Sequence, residues 1–152
     1  MSKMLSDHFS LDEFTLSQTA ARQGIDNTPD ASALRNLRSL AGALEQVRSS
    51  LGNHPVLISS GYRSKALNTA VGGSRTSAHM SGLAADLTVP AHGTVLQNAK
   101  AIAACGLAYD QIILEYGRWV HVGLAAPGRT PRRELLSIGA QGEYVSGLTL
   151  QC

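Results

Sequence analysis

The sequence contains few aromatic residues, few cysteines and little net charge. Aromatic side chains make up 5% of the 152 residues and charged side chains 16%, against 43% hydrophobic residues. The net charge of +2 is too small to indicate a nucleic-acid partner, and no basic run contains interleaved aromatics. A globular chain of this length can bury about two-thirds of its unfolded surface in one core. We therefore expect a single domain over residues 1–152 that acts as a monomer.

Long apolar runs are also missing. None approaches the roughly 20 residues of a membrane-spanning helix, and the opening MSKMLSDHFSLDEF lacks the apolar core of a secretory signal. We expect the chain to be made in the cytoplasm and to form no stable association with a membrane. Cys105 and Cys152 lack CxxC spacing, which argues against a thiolate zinc site. Whether these two cysteines pair stays open, although chains without export signals usually keep their thiols reduced.

The order of apolar patterns and breakers predicts helices first and strands later. Thr28-Pro29 is typical of a helix start, with Thr28 as N-cap, and apolar residues at helical spacing predict a helix over about 30–51. Shorter helices are predicted over about 16–23, over about 65–71 with Ser64 as N-cap, and over about 95–105 with Thr94 as N-cap. Strands are predicted over about 55–60, 83–89, 111–115, 118–123 and 135–138. Residues 139–152 have no strong signal and are expected to form a tail. The fold class is α+β, with N-terminal helices packed on a small antiparallel sheet.

Two histidines and one aspartate fall in apolar surroundings. Asp86 lies in the run AADLTV, where a charge is costly unless it is paired or bound to a metal ion. His121 lies in WVHV, and His79 precedes Asp86 by seven residues. Catalytic zinc uses such a set, with water in the fourth position, although Asp86 could equally be a structural partner of core histidines. The remaining histidines lie in polar or loop contexts and are expected to be solvated: His8, His54 and His92.

The chain contains an ordered set of short motifs. They are Ser59-Ser-Gly-Tyr-Arg63, Asn68, Val71-Gly-Gly-Ser74, Ser77-Ala-His79, Gly82-x-Ala-x-Asp86 and Trp119-Val-His-Val122, preceded by the opening FSLDEFTLSQTAARQGIDNTP. In this order the motifs resemble the D-alanyl-D-alanine carboxypeptidase family of zinc peptidases, over about residues 9–138. This family belongs to a wider group with lysostaphin-type enzymes and hedgehog domains, and the chain is similar in particular to phage endolysin-like cell-wall peptidase domains.

The resemblance implies one zinc ion per chain, held by His79, Asp86 and His121. It places Arg63 at the edge of the site, where it would bind a substrate carboxylate or the polarised carbonyl group. It also implies that Ser77 contacts the substrate or orients the first histidine. For Arg63 the alternative is a surface arginine that follows a strand. For Ser77 it is a loop hydroxyl that caps local backbone.

The general base is less directly indicated. Many relatives have their catalytic carboxylate three residues before the last histidine, where this chain has Arg118. Cell-wall members carry an acid at the position of Glu115, so we choose Glu115 as base and keep Asp110 in reserve. A two-residue turn at Tyr116-Gly117 would put Glu115 beside Arg118 and on the sheet face opposite His121. A three-residue turn with a bulge would bring it to the face of His121.

The implied function is hydrolysis of a peptide bond in the peptidoglycan stem, by an endopeptidase or by a D,D-carboxypeptidase. The partners would be stem peptides, and the chain would degrade the cell wall after the membrane is breached, as in phage or prophage lysis. The nearby Arg129, Arg132 and Arg133 would favour an anionic wall, although a solvated face explains them equally well. The alternative is a catalytically silent, zinc-containing wall-binding or structural phage protein, because hedgehog-type relatives keep the zinc ligands but act chiefly as binding modules. Arg118 favours that alternative.

Overall fold

The computed structural model describes residues 3–151 and has the α+β architecture expected from the sequence. The helices are α1 (Leu11–Thr15), α2 (Gln18–Gln23), α3 (Ala31–Ser50), α4 (Lys65–Ala70) and α5 (Val95–Ala104), with a 3-10 helix at Ala78–Ser81. The strands are β1 (Leu57–Ser60), β2 (Ala84–Thr88), β3 (Gln111–Glu115), β4 (Trp119–Gly123), β5 (Glu134–Ile138) and β6 (Tyr144–Ser146). No helix within residues 3–151 is both long and apolar enough to cross a membrane.

The six strands form one sheet in the order β1-β2-β4-β3-β5-β6. Neighbouring strands are antiparallel except for β3 and β5, which run parallel. The sheet is thus mostly antiparallel, as the sequence predicted, and the one parallel pair has a simple reason. Gly123, at the end of β4, and Glu134, at the start of β5, both lie opposite Gln111. The connection 124–133 therefore only has to pass the beginning of β3, and β5 then runs in the same direction as β3.

Alternation along the strands separates a packed face from an open face. Val120 and Val122 of β4 are fully buried in the core, together with Ile112 of β3. Helices α3 and α5 bury their apolar residues in the same core. His121, between the two valines, points to the opposite face because successive strand residues alternate sides. The packed face thus fixes which side chains reach the open face, and the candidate site lies there.

The helix starts follow the predicted capping chemistry with one exception. Ser64 and Thr94 cap α4 and α5 as expected. The N-cap of α3 is Asp30 rather than Thr28, so that prediction is wrong. The Asp30 carboxylate accepts a hydrogen bond of 2.8 Å from the amide of Ala33, and the helix begins two residues later than Thr28-Pro29 would place it.

The C-terminal residues, to which the sequence assigned no element, contribute strand β6. Ser137 of β5 fixes this segment, because its hydroxyl donates to the Gly147 carbonyl at 2.7 Å and accepts from the Thr149 amide at 3.0 Å. Leu148 is buried in the core. Strand β6 has only three residues, Tyr144–Ser146, and its order comes from these long-range contacts rather than from local sequence. As a result β6, and not β5, forms the sheet edge.

The two cysteines are placed unequally. Cys105 is half-buried, has a free thiol and packs against the core, as expected for a small apolar residue. Cys152 lies outside the described residues.

Gly61, directly after β1, allows α1 to approach closely. A Cβ atom at this position would lie 2.6 Å from the Phe14 carbonyl oxygen and 2.7 Å from the Phe14 Cα atom. The amide of Tyr62 donates to the same Phe14 oxygen at 2.6 Å. By contrast, Gly42 is exposed on α3, and a Cβ atom there would meet no atom within 4 Å.

We expect Gly61→Ala and Gly42→Ala to change stability in opposite directions. The first substitution forces two backbone segments apart and should cost about 1–3 kcal/mol. The second replaces a helical glycine in open space and should stabilise by about 0.5–1 kcal/mol. Urea unfolding of the two variants beside the original chain measures both effects. A Gly61→Ala protein as stable as the original would show that the approach of α1 is not tight.

Candidate functional site

His79, Asp86 and His121 meet on the open face of the sheet. Asp86 on β2 is paired directly with His121 on β4, and His79 lies in the 3-10 helix that precedes β2. The Asp86 Oδ1 atom lies 3.1 Å from His121 Nδ1 and 3.3 Å from His79 Nε2. All three residues are buried, with exposed fractions of 2%, 5% and 8% in chain order. The sequence-predicted ligand set is thus brought together, within 4.8 Å between its ligand atoms.

A single carbonyl group sets the orientation of the His79 ring. His79 Nδ1 donates to the Gly61 carbonyl oxygen at 2.7 Å. Because a carbonyl only accepts, the proton of the neutral ring is on Nδ1, and Nε2 presents a lone pair. That Nε2 atom is buried and has no hydrogen-bond partner. Metal-binding histidines commonly show this arrangement, with one nitrogen fixed by a backbone carbonyl and the other free for the ion.

The loop around His79 is fixed by its own backbone contacts. The Ser77 hydroxyl accepts from the amide of His79 at 3.2 Å and caps the 3-10 helix. Gly82 ends that helix in the left-handed region, with φ of 74°. These contacts are those of a hydroxyl that caps local backbone, which is the alternative considered for Ser77 from the sequence. Ser77 also borders the open cleft, so contact with a substrate stays a prediction.

The Asp86 carboxylate is kept ionised although it is buried. Burial alone would raise its pKa, but the hydrogen bond from His121 and the attraction of both nearby imidazoles outweigh burial and hold the pKa well below its usual value. Asp86 Oδ2 also lies 3.7 Å from Nη2 of Arg63. A buried carboxylate that faces two ring nitrogens needs a cation among them, either a proton or a metal ion.

The spacing of the three ligand atoms suits a small tetrahedral ion. Around zinc, with bonds of about 2.0–2.2 Å, ligand atoms stand about 3.3–3.6 Å apart. The separations of 3.1 and 3.3 Å from Asp86 Oδ1 to the ring nitrogens of His121 and His79 approach this spacing. Two imidazoles and one carboxylate form a set that leaves a further coordination position open. The three residues can therefore hold a metal ion.

The turn after β3 places Glu115 on the same face as His121. Glu115 pairs with Trp119, so the connection contains three residues, of which Tyr116 and Gly117 have φ of 58° and 63°. Of the two turns considered from sequence, the structure has the longer one. Glu115 Oε1 lies 3.8 Å from His121 Nδ1, and Oε2 accepts from the indole of Trp119 at 3.2 Å. Burial, with a further contribution from Asp86, raises the pKa of Glu115.

Asp110, the reserve candidate for the base, is engaged elsewhere. Its carboxylate accepts from Nε of Arg132 at 3.2 and 3.1 Å, from Nη2 of Arg132 at 2.8 Å and from the Arg132 amide at 2.9 Å. The hydrogen bonds from Arg132 lower the pKa of Asp110. This pair anchors the 124–133 connection.

Arg133 donates to the Leu107 carbonyl and lies over the Tyr109 ring. Two of the three clustered arginines thus have partners within the fold.

Arg63 lies at the opposite side of the cluster and is held by a residue to which the sequence assigned no role. Its Nη1 donates to Asn68 Oδ1 at 3.3 Å, and its Nε donates to the Ser60 hydroxyl at 3.3 Å. Asn68 is itself buried, and its amide donates to the Ser74 carbonyl at 2.9 Å. A Cβ atom on Gly73 would collide with the Asn68 side chain. Gly73 thus leaves room for the Asn68 side chain, and Asn68 holds the Arg63 guanidinium in place.

These groups border one cleft of about 680 Å³ on the open face. Residues that line it include His79, Asp86, His121, Glu115, Arg63, Ser77, Asp110, Trp119 and Tyr144. Sequence reasoning missed two of them as site residues. Trp119 is part of a quoted motif but had no assigned role. Tyr144 lies in the segment without a signal.

Comparison with known proteins is consistent with this geometry. No curated protein matches the chain. The model of the family described as Peptidase M15 matches residues 7–123, which is more than half of the chain and contains the three clustered residues, Arg63 and Glu115. Strands β5 and β6 lie beyond the matched region. On this match, the chain belongs to the peptidase M15 family.

Proposed function

We propose that this chain is a zinc-dependent peptidase that hydrolyses a peptide bond in the peptidoglycan stem. The observation that carries the proposal is the buried Nε2 atom of His79, which has no hydrogen-bond partner and faces Asp86 beside an open cleft. Membership of the peptidase M15 family supports peptidase activity and a substrate of the peptidoglycan type.

His79, Asp86 and His121 would hold the ion through Nε2, a carboxylate oxygen and Nδ1. When bound, zinc supplies Lewis acidity, which lowers the pKa of water and polarises a carbonyl group. The protein contributes the preset ring of His79, the ionised Asp86 and the burial that excludes competing hydrogen bonds. No other group of three such residues within residues 3–151 converges in this way.

Glu115 would take the proton from the attacking water and return it to the leaving amine. Its position on the site face, 3.8 Å from His121 Nδ1, puts the carboxylate at the edge of the cluster. The indole of Trp119 holds Oε2, which leaves Oε1 directed towards the site. A base with a raised pKa accepts a proton more strongly, which favours general-base catalysis.

Arg63 would bind a negatively charged oxygen of the substrate or of the transition state. Its guanidinium is fixed by Asn68 and Ser60 and borders the cleft beside Asp86. A fixed cation stabilises developing negative charge without reorganising during the reaction. It would equally hold the free carboxylate that a carboxypeptidase substrate presents. Mass spectrometry of purified muropeptides after incubation distinguishes an endopeptidase from a D,D-carboxypeptidase, because it identifies the cleaved bond.

The three-residue turn favours an enzyme over a silent binding module. Arg118 stands where many relatives have an acid, and this was the one feature in favour of a binding module. Because Glu115 reaches the site face, the cleft does contain a carboxylate next to His121. A group able to accept a proton is therefore present in spite of Arg118.

We expect protein purified without added metal to contain close to one zinc ion per chain. Asp86→Asn and His79→Ala should lose most of this zinc, because each removes one of three ligands. His92→Ala is the matched control, since His92 is exposed and lies outside the cleft, and it should keep its zinc. Elemental analysis measures all four proteins. Wall-peptide cleavage by metal-free protein in the presence of a chelator would contradict the proposal.

Removal of zinc should lower the melting temperature without unfolding the protein at room temperature. A ligand that binds only the folded state stabilises it by mass action, by about 4 kcal/mol at a free concentration 1,000 times its Kd. The core does not include the metal cluster, so far-ultraviolet circular dichroism should stay unchanged in chelator. The melting temperature of Asp86→Asn should not respond to chelator. Complete unfolding on chelation would mean that the metal is structural.

Replacing Glu115 with glutamine should lower kcat by about 100- to 10,000-fold, because glutamine cannot accept the proton. Zinc content and melting temperature should change little. Asp110→Asn is the comparison, and its effect on kcat should be much smaller because Asp110 is bonded to Arg132. Steady-state kinetics on stem peptides measures both variants. An inactive Asp110→Asn protein beside a normal Glu115→Gln protein would exchange the two roles.

A further inference from the structure

One row of side chains crosses the sheet on the cleft face and ends at Tyr144. Trp119 on β4 pairs with Glu115 on β3, Glu115 pairs with Ile138 on β5, and Ile138 pairs with Tyr144 on β6. Directly opposite residues of neighbouring strands point to the same face. Tyr144 thus shares the face of Glu115, and its side chain borders the same cleft.

The Tyr144 phenol is available to a ligand. The residue is 58% exposed, and its hydroxyl has no hydrogen-bond partner within residues 3–151. Partial burial, followed by the negative charge of Glu115, raises its pKa. At neutral pH the phenol is therefore protonated and presents a hydrogen-bond donor to the cleft.

Strand β6 holds Tyr144 at a defined place. The strand pairs with β5 at three positions, and Tyr144 is the residue opposite Ile138. The segment that follows is fixed by the two hydrogen bonds of Ser137. A donor carried on a paired strand is more precisely placed than one on a free loop. This strand also lies outside the region matched by the family model.

Arg63 and Tyr144 lie on opposite sides of the proposed catalytic groups. Arg63 follows β1 at one edge of the sheet, and Tyr144 lies on β6 at the other edge. A peptide that occupies the cleft across the strands would thus pass Asp86 and Glu115 between these two residues. Strand β4, which carries His121, and strand β6 are three spacings apart, about 14 Å, which equals the length of roughly four extended residues.

We infer that Tyr144 is a substrate-binding residue whose phenol donates a hydrogen bond to a backbone carbonyl of the bound peptide, roughly four residues from the scissile bond on the side away from Arg63. The inference rests on the proposed function, since it takes the stem peptide as the occupant of the cleft. It assigns to the C-terminal strand a part in substrate affinity but none in metal binding. The inference requires a peptide ligand that extends on both sides of the scissile bond.

The test compares Tyr144→Phe with Tyr62→Phe. Each variant loses one hydroxyl, but the Tyr62 side chain packs against the core, and Tyr62 does not border the cleft. Kinetics on a stem pentapeptide gives KM and kcat, and calorimetry of the same substitutions in a Glu115→Gln background gives the Kd for the uncleaved peptide. Loss of one neutral hydrogen bond should raise KM and Kd by about 2- to 10-fold. The kcat, the zinc content and the melting temperature of Tyr144→Phe should stay near the original values, and Tyr62→Phe should change neither KM nor Kd.

The outcomes separate this inference from the proposed function. Cleavage by the original chain together with an unchanged KM and Kd in Tyr144→Phe would overturn the inference and leave the peptidase proposal intact. Binding without cleavage, weakened by Tyr144→Phe, would overturn the peptidase proposal and support the inference. A chain that neither binds nor cleaves stem peptides would overturn both. A fall in zinc content in Tyr144→Phe would show that the residue acts through the metal cluster, and this too would contradict the inference.

Discussion

The pairing of Asp86 with His121 is the interaction on which the site depends. Both residues lie on inner strands of the sheet, in register, with fully buried valines on either side of the histidine. A carboxylate in this position is costly by itself. Arg63, 3.7 Å away, offsets part of this cost, and the two imidazoles stabilise the carboxylate further through a proton or a metal ion that lies among them. The sheet therefore builds a position for a cation into its open face, and the packed face holds it there.

The number of residues in the turn between β3 and β4 decides on which face of the sheet Glu115 lies. With two residues between β3 and β4, Glu115 would point to the packed face, where a charge has no partner. With three, it reaches His121 and the indole of Trp119. Both turns are compatible with Tyr116-Gly117 as a sequence. Tertiary packing selects between them, because only one register buries Ile112 and Leu114 together with Val120 and Val122.

Local chemistry made much of the fold predictable from sequence. The caps at Ser64 and Thr94 and the five predicted strands follow from residue preferences. Asp86 and His121 were indicated as site residues by their apolar strands, and the set of three candidate ligands was implied by the family resemblance. The missed features depend on contacts that are distant in sequence. Strand β6 is ordered by Ser137, and Asp110 is occupied by Arg132, which lies 22 residues away. The role of Asn68 likewise became visible only with Arg63 beside it.

Gly61 links the packing of α1 to the orientation of the His79 ring. Its missing side chain lets α1 pack against the end of β1, and its carbonyl oxygen fixes the proton on Nδ1 of His79. A shift of α1 that moved this oxygen would also move the His79 ring that it orients. The N-terminal helix thereby influences the direction in which the free Nε2 atom of a candidate metal ligand points.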